Sequence, residues 1–248
     1  MGLDMPLREA MATQRAMRRL RPDPVDDEVV LRCIDLALKA PTGSNAQNWH
    51  WIVVRDPAVK AKLGRLLRQS WRIYGGLGRV VAGNDEQMRR VIDAVQWQAD
   101  HFEEIPVLVV PCLRGLTTRL LSMWPFIASS HYGSIYPAIQ NFLLACRAEG
   151  VGAALTTLPL WSMTLARRAL GLPFDVQPCA VIPIGWPRGR YGPTTRKPVE
   201  KVVHFDRWGN RRPASPTREA EPDRPPVRRG RQGSPSPARR GKDSLPPR

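Results

Sequence analysis

The sequence predicts one layered domain of α/β or α+β class, in which helices cover a sheet. Apolar runs of strand length, such as residues 107–112 and 179–184, alternate with segments whose apolar residues repeat at the helical period. The chain has 248 residues, of which 42% are apolar. That length and that composition are enough for one domain of ordinary size with a real core.

The first 71 residues predict three helices and one strand. One runs from residue 7 to about residue 17 and ends in an arginine cluster, and Pro22 then breaks the chain. The next follows Asp26 as its cap and carries one apolar stripe that ends at Pro41. A strand is expected over residues 51–54, and a short helix from residue 58 to about residue 71.

Three glycines, Gly75, Gly76 and Gly78, predict a flexible loop after that short helix. Asn84 is expected to cap the helix that follows. The continuous apolar run at residues 107–112 predicts a strand buried on both faces.

The second half carries the clearest helical pattern, from residue 132 or 134 to residue 148, and Gly150 ends it. A strand is expected over residues 151–157, then a short helix capped by Ser162, then an apolar strand over residues 179–184.

A change of composition predicts two parts, a folded domain over residues 1–209 and a disordered tail over residues 210–248. The tail holds nine prolines, 11 basic and 4 acidic residues, and too few apolar residues to offset its ordering entropy. The net charge of the whole chain is +16, so the folded part is basic as well. An alternative role for the tail is binding nucleic acid or an acidic partner. We expect no nucleic-acid partner, because no aromatic residue after Trp208 interleaves its arginines.

Several classes of protein are not indicated by this sequence. The four cysteines lack CxxC spacing and lie in apolar segments, and the four histidines form no ligand pattern, so we predict no metal site. No nucleotide-binding glycine motif and no nucleophile motif occurs. The charged N-terminus and the lack of a long apolar run predict a cytoplasmic protein without a membrane partner.

Two polar segments near the start carry the functional signal. The arginine cluster, Arg15 to Arg21, is either a solvated helix end or a clamp for a phosphate group. Residues 41–49 form a Gly/Ser/Asn turn that leads into Gln47 and Trp49, and they offer hydrogen-bonding groups beside a flat apolar wall.

These segments resemble the two N-terminal signatures of the nitroreductase family of flavoproteins. Further similarities follow in order: the helix around Gln140-Asn141, the strand-end loop at residues 154–157, the closing strand at residues 182–187, and a basic segment at residues 196–199. The resemblance covers roughly residues 8–208. It implies an α+β fold, a mixed sheet sandwiched by helices, in an intertwined homodimer with FMN at the interface.

The resemblance also implies which residues hold the cofactor. The first group would meet the phosphate and ribityl chain, the second would lie near the ring or the dimer seam, and the third would line the ring. A late arginine would close on the phosphate. The groups are Gln14, Arg15, Ala16 and Arg18; Thr42, Gly43, Asn45 and Gln47; Leu155, Thr156 and Thr157; and Arg196.

Three positions depart from the family pattern. Ala16 stands where the family often has Ser, Asn48 where it usually has Pro, and Thr42 where it usually has Ser. The departure at Ala16 removes one hydroxyl donor to the phosphate, and all three bear on ring contacts and substrate type.

The implied activity is that of an FMN-dependent oxidoreductase. Such an enzyme takes hydride from NAD(P)H and passes electrons to a nitroaromatic, a quinone or a similar acceptor by ping-pong kinetics, without a catalytic side chain. One variant is a specialised member, such as a reductive dehalogenase or a flavin-destroying enzyme. The alternative is a protein of the same fold that binds flavin without turnover.

Overall fold

The computed structural model describes residues 4–115 and 125–211, with side chains from residue 129 onward in the second range. The chain divides between Thr195 and Arg196 into two compact units. The described part of the first unit contains six α-helices and a five-stranded sheet. The predicted α+β class is confirmed, but every ladder among these described strands is antiparallel, so within residues 4–115 and 125–211 the sheet is not the mixed one that the resemblance implies.

The elements follow in chain order. The helices are α1 (Leu7–Thr13), α2 (Asp27–Ala37), α3 (Pro57–Ala82), α4 (Glu86–Asp100), α5 (Pro125–Ala148) and α6 (Met163–Leu170). The strands are β1 (Trp49–Val54), β2 (Val107–Arg114), β3 (Gly152–Ala153), β4 (Val176–Pro178) and β5 (Ile182–Gly185).

Strand β2 is the centre of the sheet. Strand β1 pairs along one side of β2, from Trp49 opposite Leu113 to Val54 opposite Leu108. Strands β4 and β5 pair with successive parts of the other side, and β3 pairs with β5. The buried strand predicted at residues 107–112 is therefore confirmed, and it is covered on both faces.

Side chains of β2 alternate between two cores, as strand geometry requires. Val107 and Val109 pack in the core that contains α2 and α5. Leu108 and Val110 pack in the core that contains residues of α3 and α4. Helices therefore sandwich the sheet, as the resemblance implies.

Helix α3 is longer than predicted. It begins at Pro57, where the Asp56 side chain accepts a hydrogen bond from the Ala58 N–H (2.7 Å), and it continues through the three glycines to Ala82. The loop expected at these glycines is therefore wrong. A glycine in a helix costs about 1 kcal/mol, but Gly75 is buried against the Trp71 ring, where a Cβ would lie 2.8 Å from Trp71 Cε2. This contact offsets part of that cost.

Other boundaries also differ from the sequence predictions. Asp85, not Asn84, caps α4 through a hydrogen bond from the Met88 N–H (3.0 Å). Helix α5 begins at Pro125, seven or nine residues before the predicted start at residue 132 or 134. The strand predicted over residues 151–157 is regular only in β3, and β4 was not predicted.

The four cysteines are all buried and free, which confirms their interpretation as small core residues. Burial raises the pKa of Cys112 and of Cys179 to about 12, so both thiols stay protonated at neutral pH.

The described part of the second unit, residues 196–211, contains a 3₁₀ turn at Val199–Lys201 and the stacked rings of His204 and Trp208, whose centroids are 4.2 Å apart. The tail predicted over residues 210–248 lies outside the described residues from 212 onward, so the boundary at 209 stays a prediction. Across residues 4–115 and 125–211, no helix has both the length and the hydropathy that a membrane crossing requires.

The ion pair of Arg68 and Glu103 predicts acid sensitivity. Two hydrogen bonds, of 2.9 and 2.6 Å, join the guanidinium to the carboxylate. Burial raises the pKa of Glu103, but the bonds from Arg68 and the neighbouring charges leave it below its ordinary value. The carboxylate therefore stabilises the fold above its unfolded pKa of about 4.3, and this contribution is lost as the pH falls through its folded pKa.

We expect Glu103→Gln to lower the urea midpoint at pH 7, and the deficit relative to wild type to shrink between about pH 5 and pH 3. Glu104→Gln is the matched control, because Glu104 is exposed and its side chain has no partner among the described residues. A deficit that stays constant over this pH range would contradict the assignment.

Candidate functional site

The arginine cluster lies on an extended segment at the edge of the sheet. Helix α1 ends at Thr13, and Gln14 already has extended backbone angles. The Met17 N–H then donates to the Ala153 carbonyl (2.9 Å), and the Arg21 N–H donates to the Trp186 carbonyl (2.8 Å). The sheet edge takes these backbone groups, which is why the first helix stops short of the predicted residue 17.

Glycine 152 makes this close approach possible. A Cβ at that position would lie 2.6 Å from Leu20 Cδ2, 3.1 Å from Met17 Cβ and 3.2 Å from the Gly185 carbonyl oxygen. No side chain fits there without moving the arginine segment. The sequence motifs did not single out Gly152, and its only signal was its position inside a predicted strand, where glycine often marks a close backbone contact.

Two of the predicted phosphate ligands carry unpaired charges. Arg18 is partly buried, and burial lowers the pKa of its guanidinium, which nevertheless stays protonated. Arg15 is exposed. Among the described residues neither side chain has a hydrogen-bond acceptor or a carboxylate partner. A partly buried cation without a partner is costly. An anionic ligand would remove that cost, so it would bind this segment more tightly than it would bind an ordinary, fully solvated basic surface.

Arg147 of α5 fixes the place where α1 ends. Its side chain is only 12% exposed, and its Nε donates to Thr13 Oγ1 (2.7 Å). The guanidinium also lies 3.5 Å from the Glu9 carboxylate and 4.2 Å from the centroid of the Tyr191 ring. These contacts anchor the start of the arginine segment to the C-terminal end of α5. Sequence reasoning missed Arg147, because it belongs to an otherwise ordinary amphipathic helix.

The strand-end loop lies next to the arginine segment. Thr156 pairs with Val181 through two backbone hydrogen bonds of 2.9 and 2.8 Å. Leu155 is half-buried against the core, and Thr157 is exposed. Because Ala153 accepts from Met17 and Leu155 follows two residues later, the structure brings two of the three predicted groups side by side.

A cavity of about 510 Å³ opens beside Thr157. Its walls include four aromatic side chains, and they are supplied mainly by α3, α5, β4 and the loop before α6. The wall residues used below are Tyr74, Tyr132, Tyr136, Trp161 and Gln177. This volume is within the range of small-molecule sites. None of these aromatic residues belonged to a sequence motif, so only the fold reveals the cavity.

Two tyrosine hydroxyls are held in fixed positions in this cavity. The Tyr132 oxygen accepts a hydrogen bond from Gln177 Nε2 (3.1 Å), and the Tyr136 hydroxyl donates to the Cys179 carbonyl (3.5 Å). Burial raises the pKa of Tyr136, so its phenol stays neutral at physiological pH. Because the Tyr132 oxygen is the acceptor in its bond with Gln177, the Tyr132 O–H can donate to a ligand in the cavity.

The third predicted group, the polar turn, is strained and packs against α5. Ser44, Asn45 and Gln47 have positive φ angles of 52°, 53° and 47°, which is unfavourable by about 1–3 kcal/mol for each non-glycine residue. The Gly43 N–H donates to Ser134 Oγ (3.1 Å). Inside the turn, the Gln47 side chain donates to Asn45 Oδ1 (2.9 Å) and the Gln47 N–H donates to Thr42 Oγ1 (3.2 Å).

The turn and the arginine segment meet α5 at different places. The turn contacts Ser134, whereas α1 ends against Arg147, thirteen residues later. At 1.5 Å per residue these contact points are about 20 Å apart along the helix. Within one chain, the structure therefore does not join the turn to the arginine segment, whereas Ser134, which the turn contacts, lies between Tyr132 and Tyr136 of the cavity beside Thr157. Arg196 begins the second unit, and its role stays a prediction.

The profile of the family described as "Nitroreductase family" matches residues 11–186, which is most of the chain. The chain belongs to the nitroreductase family. The relatives include the NADH dehydrogenase of Thermus thermophilus, which is 27% identical over 209 residues that cover 78% of this chain and 93% of that protein. Iodotyrosine deiodinase 1 of Rattus norvegicus is 24% identical over 202 residues, which cover 79% of this chain and 67% of that protein.

A solved nitroreductase-like structure shows the same fold. An iodotyrosine deiodinase bound to FMN and 3-iodo-L-tyrosine matches with a TM-score of 0.63 at 19% identity, over 82% of this chain and 100% of that chain. Membership of the nitroreductase family, together with the names of the relatives, makes the chain an oxidoreductase of a flavin-dependent family.

The close backbone contact at Gly152 predicts that adding a methyl group there is destabilising. We expect Gly152→Ala to push Met17 and Leu20 away from β3, to destabilise the fold by about 1–3 kcal/mol, and to speed hydrogen exchange at the Met17 and Arg21 amides. Gly189→Ala is the control, because a Cβ there would meet only Met17 Cε at 3.9 Å. Unchanged amide protection in Gly152→Ala would show that the approach is looser than described.

Proposed function

We propose that this protein is an FMN-dependent oxidoreductase that uses NAD(P)H to reduce a small acceptor, such as a nitroaromatic or a quinone, by ping-pong kinetics. One observation carries the proposal: the hydrogen bond from the Met17 N–H to the Ala153 carbonyl brings the arginine segment beside Leu155–Thr157. A phosphate-bearing cofactor with a flat ring needs cations and a ring wall at that relative position.

The residues present fit such a cofactor. Arg15 and Arg18 are basic groups that lack an acidic partner in the described ranges, and a dianionic phosphate would supply one. A charge-assisted hydrogen bond contributes about 1.5–3 kcal/mol. Gln14 and the backbone at Ala16 would serve the phosphate and ribityl chain, and the family resemblance assigns Arg196 to the phosphate as well.

The ring would lie against Leu155, Thr156 and Thr157. When bound, FMN would supply the redox chemistry, taking hydride from NAD(P)H and delivering electrons to the acceptor. The chain's own residues would bind, orient and shield the reactants. Because no catalytic side chain is needed, we assign none.

The aromatic cavity beside Thr157 fits the acceptor. Trp161 and the tyrosine rings offer flat apolar surface to an aromatic substrate. The Tyr132 O–H, held by Gln177, can donate a hydrogen bond to a nitro or quinone oxygen. The same walls would exclude water from the reacting faces.

A second copy of the chain would complete the site. The polar turn of Thr42, Gly43, Asn45 and Gln47 contacts α5 about 20 Å along the helix from the place where the arginine segment is anchored, so within one chain these two groups meet different parts of that helix. A partner chain can bring its own turn to the ring. We therefore propose a homodimer, with the strained amides of the partner's turn aimed at the ring.

A specialised reaction is the second candidate. The relatives include iodotyrosine deiodinases, one of them solved with FMN and 3-iodo-L-tyrosine. A cavity with several aromatic walls also suits a halogenated phenol. The remaining alternative is a protein that binds flavin without turnover. None of the described residues specifically favours it.

The decisive experiment is the absorbance spectrum of the purified protein, with the released cofactor identified by chromatography and the mass measured by light scattering. We expect bound FMN, a particle of twice 27.9 kDa, and NAD(P)H oxidation that depends on a quinone or nitroaromatic acceptor. A dimer that binds FMN but turns over no faster than free FMN would leave the binding protein as the answer. A monomer that ignores added FMN would refute the proposal.

The phosphate ligands predict a selective loss of cofactor. We expect Arg15→Ala, Arg18→Ala and Arg196→Ala each to weaken FMN more than tenfold, equivalent to about 1.4 kcal/mol, whereas Arg18→Lys keeps part of the affinity. Arg90→Ala is the control, because Arg90 is exposed on α4 and its partner among the described residues is Glu86 in the same helix. Equal FMN affinity in all five proteins, measured by fluorescence titration, would overturn the phosphate assignment.

A further inference from the structure

A second cavity, of about 680 Å³, lies between α3 and α4. It shares no lining residue with the aromatic cavity, and none of the cofactor residues named above lines it. The lining residues that matter are Arg65, Arg72, Gly76 and Arg79 of α3, and Gln96 and Asp100 of α4. We call it the arginine cavity.

The arginine cavity has an excess of positive charge. The charge of a fourth arginine in its wall, Arg68, is already balanced by Glu103. Arg65 and Arg72 have no acceptor or carboxylate partner anywhere in residues 4–115 and 125–211. Asp100 is the carboxylate in the lining, and it accepts a hydrogen bond from Gln96 Nε2 (2.9 Å). Three guanidinium groups therefore face one carboxylate.

The three arginines lie on one face of α3. Arg65, Arg72 and Arg79 are seven residues apart, so they repeat every two turns, about 10.5 Å along the axis. Their long side chains can converge on an anion in the space between them. A single inorganic ion would engage one or two of them, whereas an elongated polyanion can engage all three.

Gln96 holds one end of this cavity in place. Its Oε1 accepts from Trp71 Nε1 (2.9 Å) and from an Arg79 guanidinium nitrogen (3.2 Å). Two donors on one amide oxygen fix both the indole and the Arg79 fork. Gly75 allows the indole to lie flat against α3.

The wall of the cavity that α3 supplies contains a buried acceptor that lacks a donor. Gln69 Oε1 is inaccessible to solvent and accepts no hydrogen bond from the described residues, and Gln69 lines the cavity. A buried acceptor without a donor costs about 1–3 kcal/mol. A ligand that carries an N–H group would satisfy it once the Gln69 amide turns its oxygen toward the cavity.

The geometry points to a nucleotide: we propose that the arginine cavity binds a nucleoside polyphosphate whose base carries an amino group. The phosphates would bind Arg65, Arg72 and Arg79, and the amino group would donate to Gln69 Oε1. The floor beside Gly76 leaves room for the ligand, because a Cβ there would have no atom within 4 Å. This site does not depend on the proposed redox function.

The test is calorimetric titration of the full-length protein, in its FMN-loaded form if it carries FMN, with ADP, IDP and pyrophosphate. We expect ADP to bind more tightly than IDP, which has no amino group at the corresponding position, and more tightly than pyrophosphate. Equal affinity for all three would overturn the assignment of Gln69. No binding of ADP at about 5 mM, a concentration that would detect even a weak, millimolar site, would overturn the site itself.

Variants separate this cavity from a general basic surface. We expect Arg65→Ala and Arg72→Ala each to weaken ADP at least tenfold, and Asp100→Asn to tighten it severalfold because a repelling charge is removed while the amide oxygen can still accept from Gln96. Gly76→Leu should fill the cavity and abolish binding, with FMN affinity unchanged. Arg90→Ala is the control, and a loss of ADP affinity equal to that of Arg72→Ala would show binding to net charge alone.

Discussion

The close approach of two backbones at Gly152 is the constraint on which the proposed site depends. The hydrogen bond from Met17 to Ala153 forms only where the arginine segment lies against β3, and the missing side chain at Gly152 allows this. The bond has two consequences. It ends α1 early, because the next amides donate to the sheet, and it places unpaired arginines next to a loop that can face a ring. The absence of a side chain at Gly152 therefore determines both where α1 ends and where the arginines lie.

The spacing of apolar residues in the sequence predicted those strands and helices whose burial follows directly from that spacing. The continuous run in β2 and the stripe of α5 are buried as expected, since a side chain's period decides its face. Helix α3 shows the limit of this approach. Gly75 is a helix breaker by propensity, yet the Trp71 ring covers it, and this tertiary contact outweighs the local preference. Strand β4 has three residues and forms only because β2 offers it a free edge.

Some residues of the candidate site were predictable from the sequence, and others were not. Family motifs named Arg15, Arg18 and the strand-end loop, because those residues carry recognisable chemistry at fixed spacing. They could not name Arg147 or the aromatic cavity, whose members come together only through packing. Nor could they show that the polar turn is about 20 Å along α5 from the arginines, a distance that depends on where each segment contacts the helix. That separation is the physical basis of the proposed second copy.

Helix α3 has a different chemistry on each of two sides. Tyr74 faces the aromatic cavity, whereas Arg72 and Arg79 face the arginine cavity. Because the helix is continuous through its glycines, a ligand that orders one wall restricts the backbone that carries the other. Coupling between two sites needs such an element, with a stability that either ligand can change. The glycine-rich stretch lowers the intrinsic stability of α3 between the two cavities, and the Trp71 ring over Gly75, held by the Gln96 amide, is the contact that compensates there.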